Sequence, residues 1–364
     1  MSEYALARTL RPATFAEVRG QDPIVRTLRR AIEAGTCPQT LLFAGPRGTG
    51  KTSTARIVAA ALNCATPVDR EPCTACESCR SIRDGRSLDV RESNAASANR
   101  IDDVRETIMP FVSSPPILLR RKVLILDEVQ RFSPEAWDAL LKPLEETPAY
   151  LTFIFATTDP DKIPVAIASR LARFDFRPLD APTIEAKLVD ALASVGRSAT
   201  PEALTLIATL ADGGMRDAET MLDQLLGSGA DPVTAEGVEE LLGLPNGERI
   251  ERLATAILRA DAATALTLLA EFEQRGRDPE RVVSALVGLL RRALHASIAT
   301  GSVPHEATAL PAGLRLAGHL SPVALAGRSR NELTVFADAL GDAVRARSET
   351  ERRLALELLA LGGR

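Results

Sequence analysis

The segment Gly45–Thr52, with the sequence GPRGTGKT, constrains the fold of this 364-residue chain more than any other stretch. It fits the pattern G-x-x-x-x-G-K-[ST], in which glycines let successive backbone N–H groups converge on phosphate oxygens. A short apolar run, Thr40–Ala44, precedes the segment, and a helical pattern, Ser53–Leu62, follows it. The N-terminus of a helix adds positive potential where phosphates bind. The order strand, loop, helix therefore favours a phosphate-binding loop over a glycine-rich turn without a ligand.

The members of this loop have distinct expected roles in binding a nucleoside triphosphate. We expect Lys51 to reach the β- and γ-phosphates and the hydroxyl of Thr52 to hold Mg²⁺. The cofactors predicted from the loop are therefore ATP and Mg²⁺. The predicted nucleotide-binding residues of the loop are Gly45, Pro46, Arg47, Gly48, Thr49, Gly50, Lys51 and Thr52.

Further along the chain, the run VLILDE ends an apolar strand pattern in two acids, Asp127 and Glu128. Acids at this point are typical of the second half of a P-loop nucleotide site, where the aspartate orders Mg²⁺. We expect Asp127 to act through a water molecule and Glu128 to polarise the attacking water. The alternative is a strand whose end happens to be acidic, which is common for an isolated pair. The preceding phosphate loop favours the catalytic interpretation.

Four of the five cysteines lie within sixteen residues, at Cys64, Cys73, Cys76 and Cys79. Their spacing, C-x8-C-x2-C-x2-C, matches four thiolates around one tetrahedral Zn²⁺, and such a closed shell is structural. Disulfides are an alternative that a reducing cytosol disfavours. An iron–sulfur cluster is another, because spacing alone does not fix the metal. Cys37 stands apart, and we expect it to be a small buried apolar residue.

Charge and composition bound the class of protein. No run approaches the roughly 18 apolar residues that a membrane span needs, and Met1–Leu10 lacks the apolar centre of a signal peptide. We therefore expect a cytoplasmic protein without a membrane partner. The formal net charge of −4 does not indicate a nucleic-acid binder, although local basic patches remain compatible with one.

The order of patterns along the chain predicts three domains. Up to about residue 178, short apolar runs alternate with helical patterns, as in an α/β domain with a parallel sheet. The strand candidates are Thr40–Ala44, Leu88–Arg91, Lys122–Leu126 and Leu151–Ala156. The rest is helical and rich in Leu and Ala. We place the domains at 1–178, 179–243 and 244–364.

Helices predicted after Pro178 begin with Thr183–Val195. Pro201–Ala211 follows, with Thr200 as its N-cap and Pro201 at the first helical position. The next helix places Met215, Ala218, Leu222 and Leu225 on one face. The middle domain is therefore expected to be small and helical.

The phosphate loop, the cysteine insertion after its helix and the run LILDEV together resemble the bacterial DNA polymerase III gamma/tau subunits, the AAA+ ATPases of the clamp loader. The resemblance covers the first ~225 residues, and beyond them only the helical character is similar. It implies an AAA+ domain with a zinc module at 64–79, a helical lid and an all-α collar that holds subunits in a ring. Other shared segments are Leu6–Arg8, Arg11–Pro12, Phe15–Gln21, Leu140–Lys142, Leu144–Glu146, Phe155–Thr158 and Ser169–Arg170.

The resemblance also implies roles for residues outside the two main motifs. Thr157 is similar to the sensor that detects the γ-phosphate, and Arg216, in Gly214–Asp217, to a second sensor over the phosphates. Arg170 is similar to an arginine finger that reaches the ATP of a neighbouring subunit. An isolated arginine is otherwise a solvated charge or half of a salt bridge. The residues implied to line the adenine pocket are Ala7, Arg11, Pro12 and Val18.

Three departures from the family pattern stand out. Leu171 follows the finger where the family has Cys or Thr. Val129–Gln130–Arg131 follows the two acids where the family has Ala or Val, then His and Met. Asn94 takes the place of an aspartate. None of the three removes an expected phosphate or Mg²⁺ ligand.

The resemblance implies a clamp-loader motor of the DNA polymerase III holoenzyme, a DNA-directed DNA polymerase, although we do not expect this chain to polymerise DNA. ATP bound at subunit interfaces would close the hetero-oligomeric ring on a sliding clamp and primer–template DNA. The implied partners include delta and delta-prime-like subunits. Because tau forms carry a longer C-terminal extension, the chain is expected to be gamma-like or a shortened tau. Candidate contacts to DNA phosphates are Arg100, Arg105 and Lys142, with solvated helix faces as the alternative.

Two other functions remain open at this point. One is a non-hydrolysing scaffold of the same loader, similar to delta-prime, which an intact Lys51 and Glu128 argue against. The other is a branch-migration or helicase-loading AAA+ motor, in which the cysteine cluster would be out of place.

Overall fold

The computed structural model describes residues 11–96, 100–259 and 261–299. They form two units. The first comprises the described residues up to Ile184 together with Gly213–Thr220, and the second comprises Glu185–Asp212 together with the described residues from Met221 onward. Residues of the predicted collar beyond 299 lie outside the described ranges. The three domain boundaries stay predictions.

A five-stranded parallel sheet in the order β2-β3-β4-β1-β5 forms the centre of the first unit. The phosphate-loop strand β1 therefore lies between β4 and β5. Because all strands are parallel, their carboxyl ends meet at one edge, where ligands of open α/β sheets bind. The strands are β1 Thr40–Ala44, β2 Val90–Asn94, β3 Lys122–Asp127, β4 Leu151–Thr157 and β5 Ala172–Asp175.

Four of these strands confirm the strand candidates, with β2 beginning two residues later than expected. The strand β5 was not predicted. Its sequence, ARFD, alternates half-buried and exposed residues and contains two charged side chains. It is a strand because it pairs with β1 through the register Leu41↔Ala172 to Ala44↔Asp175, and a sequence pattern does not reveal such a pairing.

Helices pack on both faces of the sheet and bury it. Leu41 and Phe43 of β1 face an apolar cluster that includes Leu28 and Ile57. Leu42 faces the opposite cluster, which includes Trp137. Burial on both faces is typical of parallel sheets and explains their continuous apolar runs.

Several helices connect the strands of the first unit. A π-helical stretch, Val104–Ile108, separates the helices Ile101–Asp103 and Met109–Ser113, and one-turn 3-10 helices occur at Phe15–Glu17, Val129–Arg131 and Pro160–Lys162. The helices are α1 Asp22–Glu33, α2 Lys51–Asn63, α3 Glu77–Arg83, α4 Ile101–Asp103, α5 Met109–Ser113, α6 Pro134–Glu145 and α7 Val165–Ala168.

The remaining helices confirm the expected helical character after Pro178. The hydroxyl of Thr200 accepts a hydrogen bond from the N–H of Ala203, so the predicted N-cap is confirmed. The helices are α8 Ala181–Ser194, α9 Pro201–Leu210, α10 Met215–Gly227, α11 Ala235–Leu241, α12 Gly247–Leu258, α13 Ala262–Gln274 and α14 Pro279–Ala299. Within the described ranges, none of the helices has the length and apolarity needed to cross a bilayer.

Candidate nucleotide site and cysteine cluster

The loop after β1 adopts a backbone conformation that its glycines permit. Gly45, Gly48 and Gly50 have φ angles of 147°, 77° and 95°, in the region that side chains with a Cβ rarely occupy. A Cβ on Gly45 would lie 2.4 Å from the carbonyl oxygen of Phe176. A Cβ on Gly48 would lie 2.8 Å from the Cα of Gly214. The glycines of the motif thus satisfy both the turn geometry and close backbone packing.

Lys51 begins α2 and is buried against the loop. Its Nζ donates hydrogen bonds to the carbonyl oxygens of Gly45 and Pro46, both at 2.7 Å. Burial lowers the pKa of Lys51 to about 8, and the nearby charge of Asp127 partly offsets this effect. The ammonium is therefore held within the loop, where the sequence placed the phosphate-binding lysine.

The two residues expected to position Mg²⁺, Thr52 directly and Asp127 through water, are adjacent. The hydroxyl of Thr52 donates a hydrogen bond to Oδ2 of Asp127 at 2.6 Å. The other carboxylate oxygen, Oδ1, accepts from the backbone N–H of Glu128 at 2.8 Å. A hydroxyl and a carboxylate are hard oxygen donors of the kind that Mg²⁺ prefers, so the donor set fits the ion.

Thr157 ends β4 beside the phosphate loop and is buried. Its carbonyl oxygen accepts a hydrogen bond from the N–H of Gly45 at 3.1 Å. Its hydroxyl donates to Oε1 of Gln130 at 2.9 Å. Sequence reasoning did not include Gln130 among the site residues, although its departure from the family histidine was a signal. The structure thus joins Thr157 to the loop on one side and to the segment after Glu128 on the other.

Glu128 has a left-handed backbone, with φ 54° and ψ 36°. Its carboxylate forms an ion pair with Arg131, whose Nε lies 2.9 Å from Oε2. Both side chains are substantially exposed, Arg131 at 60% and Glu128 at 40%. The expected water-polarising carboxylate therefore has a cation as its immediate neighbour.

Arg216 lies in the first turn of α10, next to the phosphate loop. The N–H of Met215 donates a hydrogen bond to the carbonyl oxygen of Gly48 at 3.0 Å. The side chain of Arg216 is exposed. The backbone beside the second sensor candidate therefore contacts the loop, and the role of Arg216 stays a prediction.

Arg170 is not brought to the same site. It precedes β5 at the amino end of the sheet, where its carbonyl oxygen accepts from the Thr40 hydroxyl at 2.7 Å. Thr40 begins β1 and Gly45 follows its end, a separation of about 16 Å at the usual rise of a strand. The guanidinium pairs with Glu145 at 2.6 Å. Arg170 is thus far from the phosphate loop of its own chain.

The segment implied to line the adenine pocket is anchored beside the sheet. The side chain of Gln21 is buried and exchanges two hydrogen bonds with the backbone of Arg177, at 2.7 and 3.1 Å. Val18 is buried, whereas Arg11 is exposed and Pro12 is half-buried. Ala7 lies outside the described residues. The adenine-binding role of these four residues stays a prediction.

The four clustered cysteines converge as the spacing predicts. Their Sγ atoms all lie within 4.8 Å of one another, and all are free thiols. The N–H of Cys73 donates to Sγ of Cys64 at 3.2 Å, and the N–H of Cys76 donates to Sγ of Cys73 at 3.3 Å. Hydrogen bonds from the Thr66 side chain and from the backbone lower the pKa of Cys73 to about 5. Burial instead raises the pKa of Cys64 and of Cys79, so the fit to a soft metal ion rests on the convergence of the four sulfur atoms.

Specific contacts tie the cysteine cluster to the rest of the unit. The guanidinium of Arg120 donates to the carbonyl oxygen of Cys64 at 2.6 Å. In the insertion itself, Glu71 pairs with Arg29 and accepts from the N–H of Phe15 at 2.6 Å. Through Glu71 the insertion therefore contacts both the turn at Phe15 and α1.

The DNA-contact candidates Arg100, Arg105 and Lys142 are all exposed. Exposure fits both the proposed phosphate contacts and solvated helix faces. Their role stays a prediction.

Comparison with known proteins gives matches along most of the chain. Three family models match it: "DNA polymerase III, delta subunit" at residues 20–180, "DNA polymerase III clamp loader subunit, ATPase lid domain" at 183–231, and "DNA polymerase III subunits gamma and tau domain III" at 233–326. Together the three models extend from residue 20 to residue 326.

Curated relatives include the DNA polymerase III subunit tau of Escherichia coli strain K12, 36% identical over 86% of this chain and 49% of the relative. The tau subunit of Bacillus subtilis strain 168 is 39% identical over 83% of this chain and 53% of the relative. The chain thus spans about half the length of these relatives. Among solved structures, the Holliday junction branch migration motor RuvB of Thermotoga maritima is 20% identical, with a TM-score of 0.48 over 81% of this chain and 99% of that one.

Proposed function

Because the chain belongs to the DNA polymerase III gamma/tau family of AAA+ clamp-loader subunits, we propose that it is a clamp-loader motor. In this proposal it hydrolyses ATP to place a sliding clamp on primer–template DNA during replication. The observation that carries the proposal is the 2.6 Å contact between Thr52 and Asp127. It joins the two halves of an ATPase site that are far apart in the sequence.

Each residue of the site has a distinct proposed role in ATP hydrolysis. Lys51 places its positive charge against the β- and γ-phosphates, where negative charge grows in the transition state. Thr52 and Asp127 would hold Mg²⁺, which supplies charge neutralisation at the phosphates when bound. Glu128 accepts a hydrogen bond from the attacking water, and Thr157 and Arg216 would contact the γ-phosphate from two sides.

A hydrolysing motor is favoured over a scaffold similar to delta-prime. A scaffold needs no intact ATPase centre, whereas here Lys51 begins the helix after the loop and the Thr52 hydroxyl contacts Asp127 at the end of β3, which supports the motor. For the second alternative, another AAA+ DNA motor, the family matches at the lid and in domain III support the clamp loader.

Arg170 is proposed to act on the ATP of a neighbouring subunit. Its carbonyl oxygen lies beside Thr40, at the end of β1 opposite the phosphate loop and about 16 Å along the strand from it, which argues against a role in the same chain. A finger supplied by a neighbour makes hydrolysis depend on assembly of the ring. The ring, with delta and delta-prime-like subunits, the clamp and DNA, is part of the same proposal.

The cysteine cluster is proposed to hold one structural Zn²⁺. Four sulfur atoms within 4.8 Å of one another complete a tetrahedral shell, which leaves no position for a reacting water. The ion would stabilise the insertion and, through Glu71 and Arg120, its attachment to the unit.

The test is ATP turnover by the purified protein, alone and after addition of partner subunits, sliding clamp and primed DNA. The proposal predicts that turnover rises only when all components are present. Lys51→Ala in the same mixture controls for contaminating ATPases. Equal turnover with and without clamp and primed DNA would contradict the clamp-loader function. Stimulation by four-way junctions instead of primed DNA would favour a branch-migration motor.

A further inference from the structure

The turn after β3 places the guanidinium of Arg131 beside the carboxylate of Glu128. The N–H of Glu128 donates to Oδ1 of Asp127 at 2.8 Å, and its carbonyl oxygen accepts from the N–H of Arg131 at 3.0 Å. This closed turn, together with the left-handed backbone of Glu128, sets the two side chains beside each other. Nε of Arg131 lies 2.9 Å from Oε2 of Glu128.

Neighbouring contacts hold the turn in place. Val129 is fully buried and Phe132 is nearly so. Between Glu128 and Arg131, the side-chain amide of Gln130 accepts from the Thr157 hydroxyl at 2.9 Å and donates to the Thr158 hydroxyl at 3.2 Å. The backbone therefore cannot carry Arg131 away without loss of these contacts. Separation of the ion pair requires rotation of the exposed side chains.

We propose that Arg131 restrains Glu128, and this inference rests on the proposed ATPase function. The guanidinium occupies a carboxylate oxygen that would otherwise accept the hydrogen bond of the attacking water. Arg131 is thus a positioning residue that sets the basal rate of hydrolysis, and the pair must separate before Glu128 engages water.

The exposure of the Glu128 and Arg131 side chains limits how much their ion pair can change the rate of hydrolysis. An ion pair between exposed side chains is weak, and salt screens it. The restraint is therefore expected to lower turnover by about two- to fivefold, a range that matches such a pair. A restraint of this size slows ATP use by the resting protein, yet ring assembly can overcome it.

The experiment compares the wild type with Arg131→Met and Arg131→Lys, which retains the charge. Each protein is assayed for ATP turnover and for binding of a fluorescent ATP analogue, at about 50 mM and about 500 mM salt. At low salt Arg131→Met should raise kcat by about two- to fivefold with unchanged nucleotide affinity. Arg131→Lys should resemble the wild type, and the difference should vanish at high salt.

Two further variants separate this inference from the proposed function. In a Glu128→Gln background, Arg131→Met should change nothing, because the charge that it restrains is gone. If Lys51→Ala and Glu128→Gln both keep wild-type turnover, the proposed function fails. If they lose turnover while Arg131→Met leaves kcat equal to or below that of the wild type, the restraint is overturned.

A second measurement does not depend on turnover. A double-mutant cycle compares the Tm changes of Glu128→Gln, Arg131→Met and the double variant, measured on the nucleotide-free protein. Any departure from additivity measures the interaction between the two side chains. A salt-dependent coupling supports the restraint, and additive changes in Tm contradict it.

Discussion

The N–H of Met215 donates a hydrogen bond to the carbonyl oxygen of Gly48 at 3.0 Å, and this bond joins the first turn of α10 to the phosphate loop. The same contact brings the Cα of Gly214 so close that a Cβ on Gly48 would lie 2.8 Å from it. Two of the contacts of the loop are therefore backbone hydrogen bonds. One runs through Gly45 to Thr157, and the other runs through Gly48 to the helix that carries Arg216.

Gly48→Ala is expected to disrupt this second connection. The substitution combines a φ of 77° with a backbone clash, and we expect a loss of about 2–4 kcal/mol in the free energy of unfolding. ATP affinity should fall with it. Gly85→Ala is the matched control, because Gly85 has a φ of 68° and nothing within 4 Å of its Cβ position. Equal losses in urea unfolding would show that the contact with Gly214 does not matter.

Lys51→Ala and Glu128→Gln are expected to separate binding from chemistry. Loss of the ammonium removes charge that stabilises the transferring phosphoryl group, so Lys51→Ala should abolish turnover. Glu128→Gln should still bind ATP, while turnover falls by about 10²-fold or more. The measurement is nucleotide affinity and steady-state turnover in the assembled complex. Wild-type turnover in Glu128→Gln would remove that residue from the mechanism.

The stability of the first unit should depend on the ionisation of Asp89. This carboxylate is fully buried and accepts hydrogen bonds from the N–H groups of Ile117, Leu118 and Leu119, at 2.7–2.8 Å. Burial alone would raise its pKa, but these donors and nearby Lys122 lower the pKa below its ordinary value. A lowered folded-state pKa contributes stability above the unfolded value of about 4, and this stability is lost as the pH falls below it.

Asp89→Asn should therefore cost about 2–3 kcal/mol in the free energy of unfolding at pH 7, and less near pH 3. Urea unfolding at the two pH values measures the difference. Asp84→Asn is the control, because Asp84 pairs with Arg86 at the surface and its substitution should change the free energy of unfolding much less than Asp89→Asn does. A cost for Asp89→Asn that is the same at both pH values would contradict this assignment.

Metal analysis should find about one zinc ion per chain. Its removal by a chelator should lower Tm, because the free energy of metal binding is partly folding free energy. Cys76→Ser should lose the ion, whereas Cys37→Ala, outside the cluster, should keep it. Protein without metal, or an iron–sulfur absorption spectrum, would overturn the zinc assignment.

Features that a short stretch of sequence encodes could be predicted, whereas features that depend on contacts between distant residues could not. The phosphate loop, the strand that ends in Asp127 and the cysteine cluster were predictable because short motifs require specific residues at fixed spacing. The β2 prediction was displaced because Leu88, an apolar residue, is 61% exposed. At the edge of the sheet, Val90–Asn94 pairs with β3 instead.

Features that depend on tertiary contacts were missed. The strand β5 exists through its pairing with β1. The link from Thr157 to Gln130 joins residues from two different strand ends. The pairing of Arg170 with Glu145 likewise joins the turn before β5 to the end of α6. Nothing in the local pattern of these residues indicates their partners.

The central claim is that ATP is hydrolysed between subunits, with Arg170 acting on a neighbouring site. The direct measurement mixes two variants, Lys51→Ala and Arg170→Ala, each of which should be inactive alone while Arg170→Ala binds ATP almost normally. An interface that pairs the intact ATP site of one with the intact arginine of the other should restore turnover. Removal of an arginine finger that acts in trans should lower ATP turnover on the order of 10³-fold. If the mixture stays inactive although its subunits exchange, or if dilute monomer turns over ATP at the full rate, the claim is wrong.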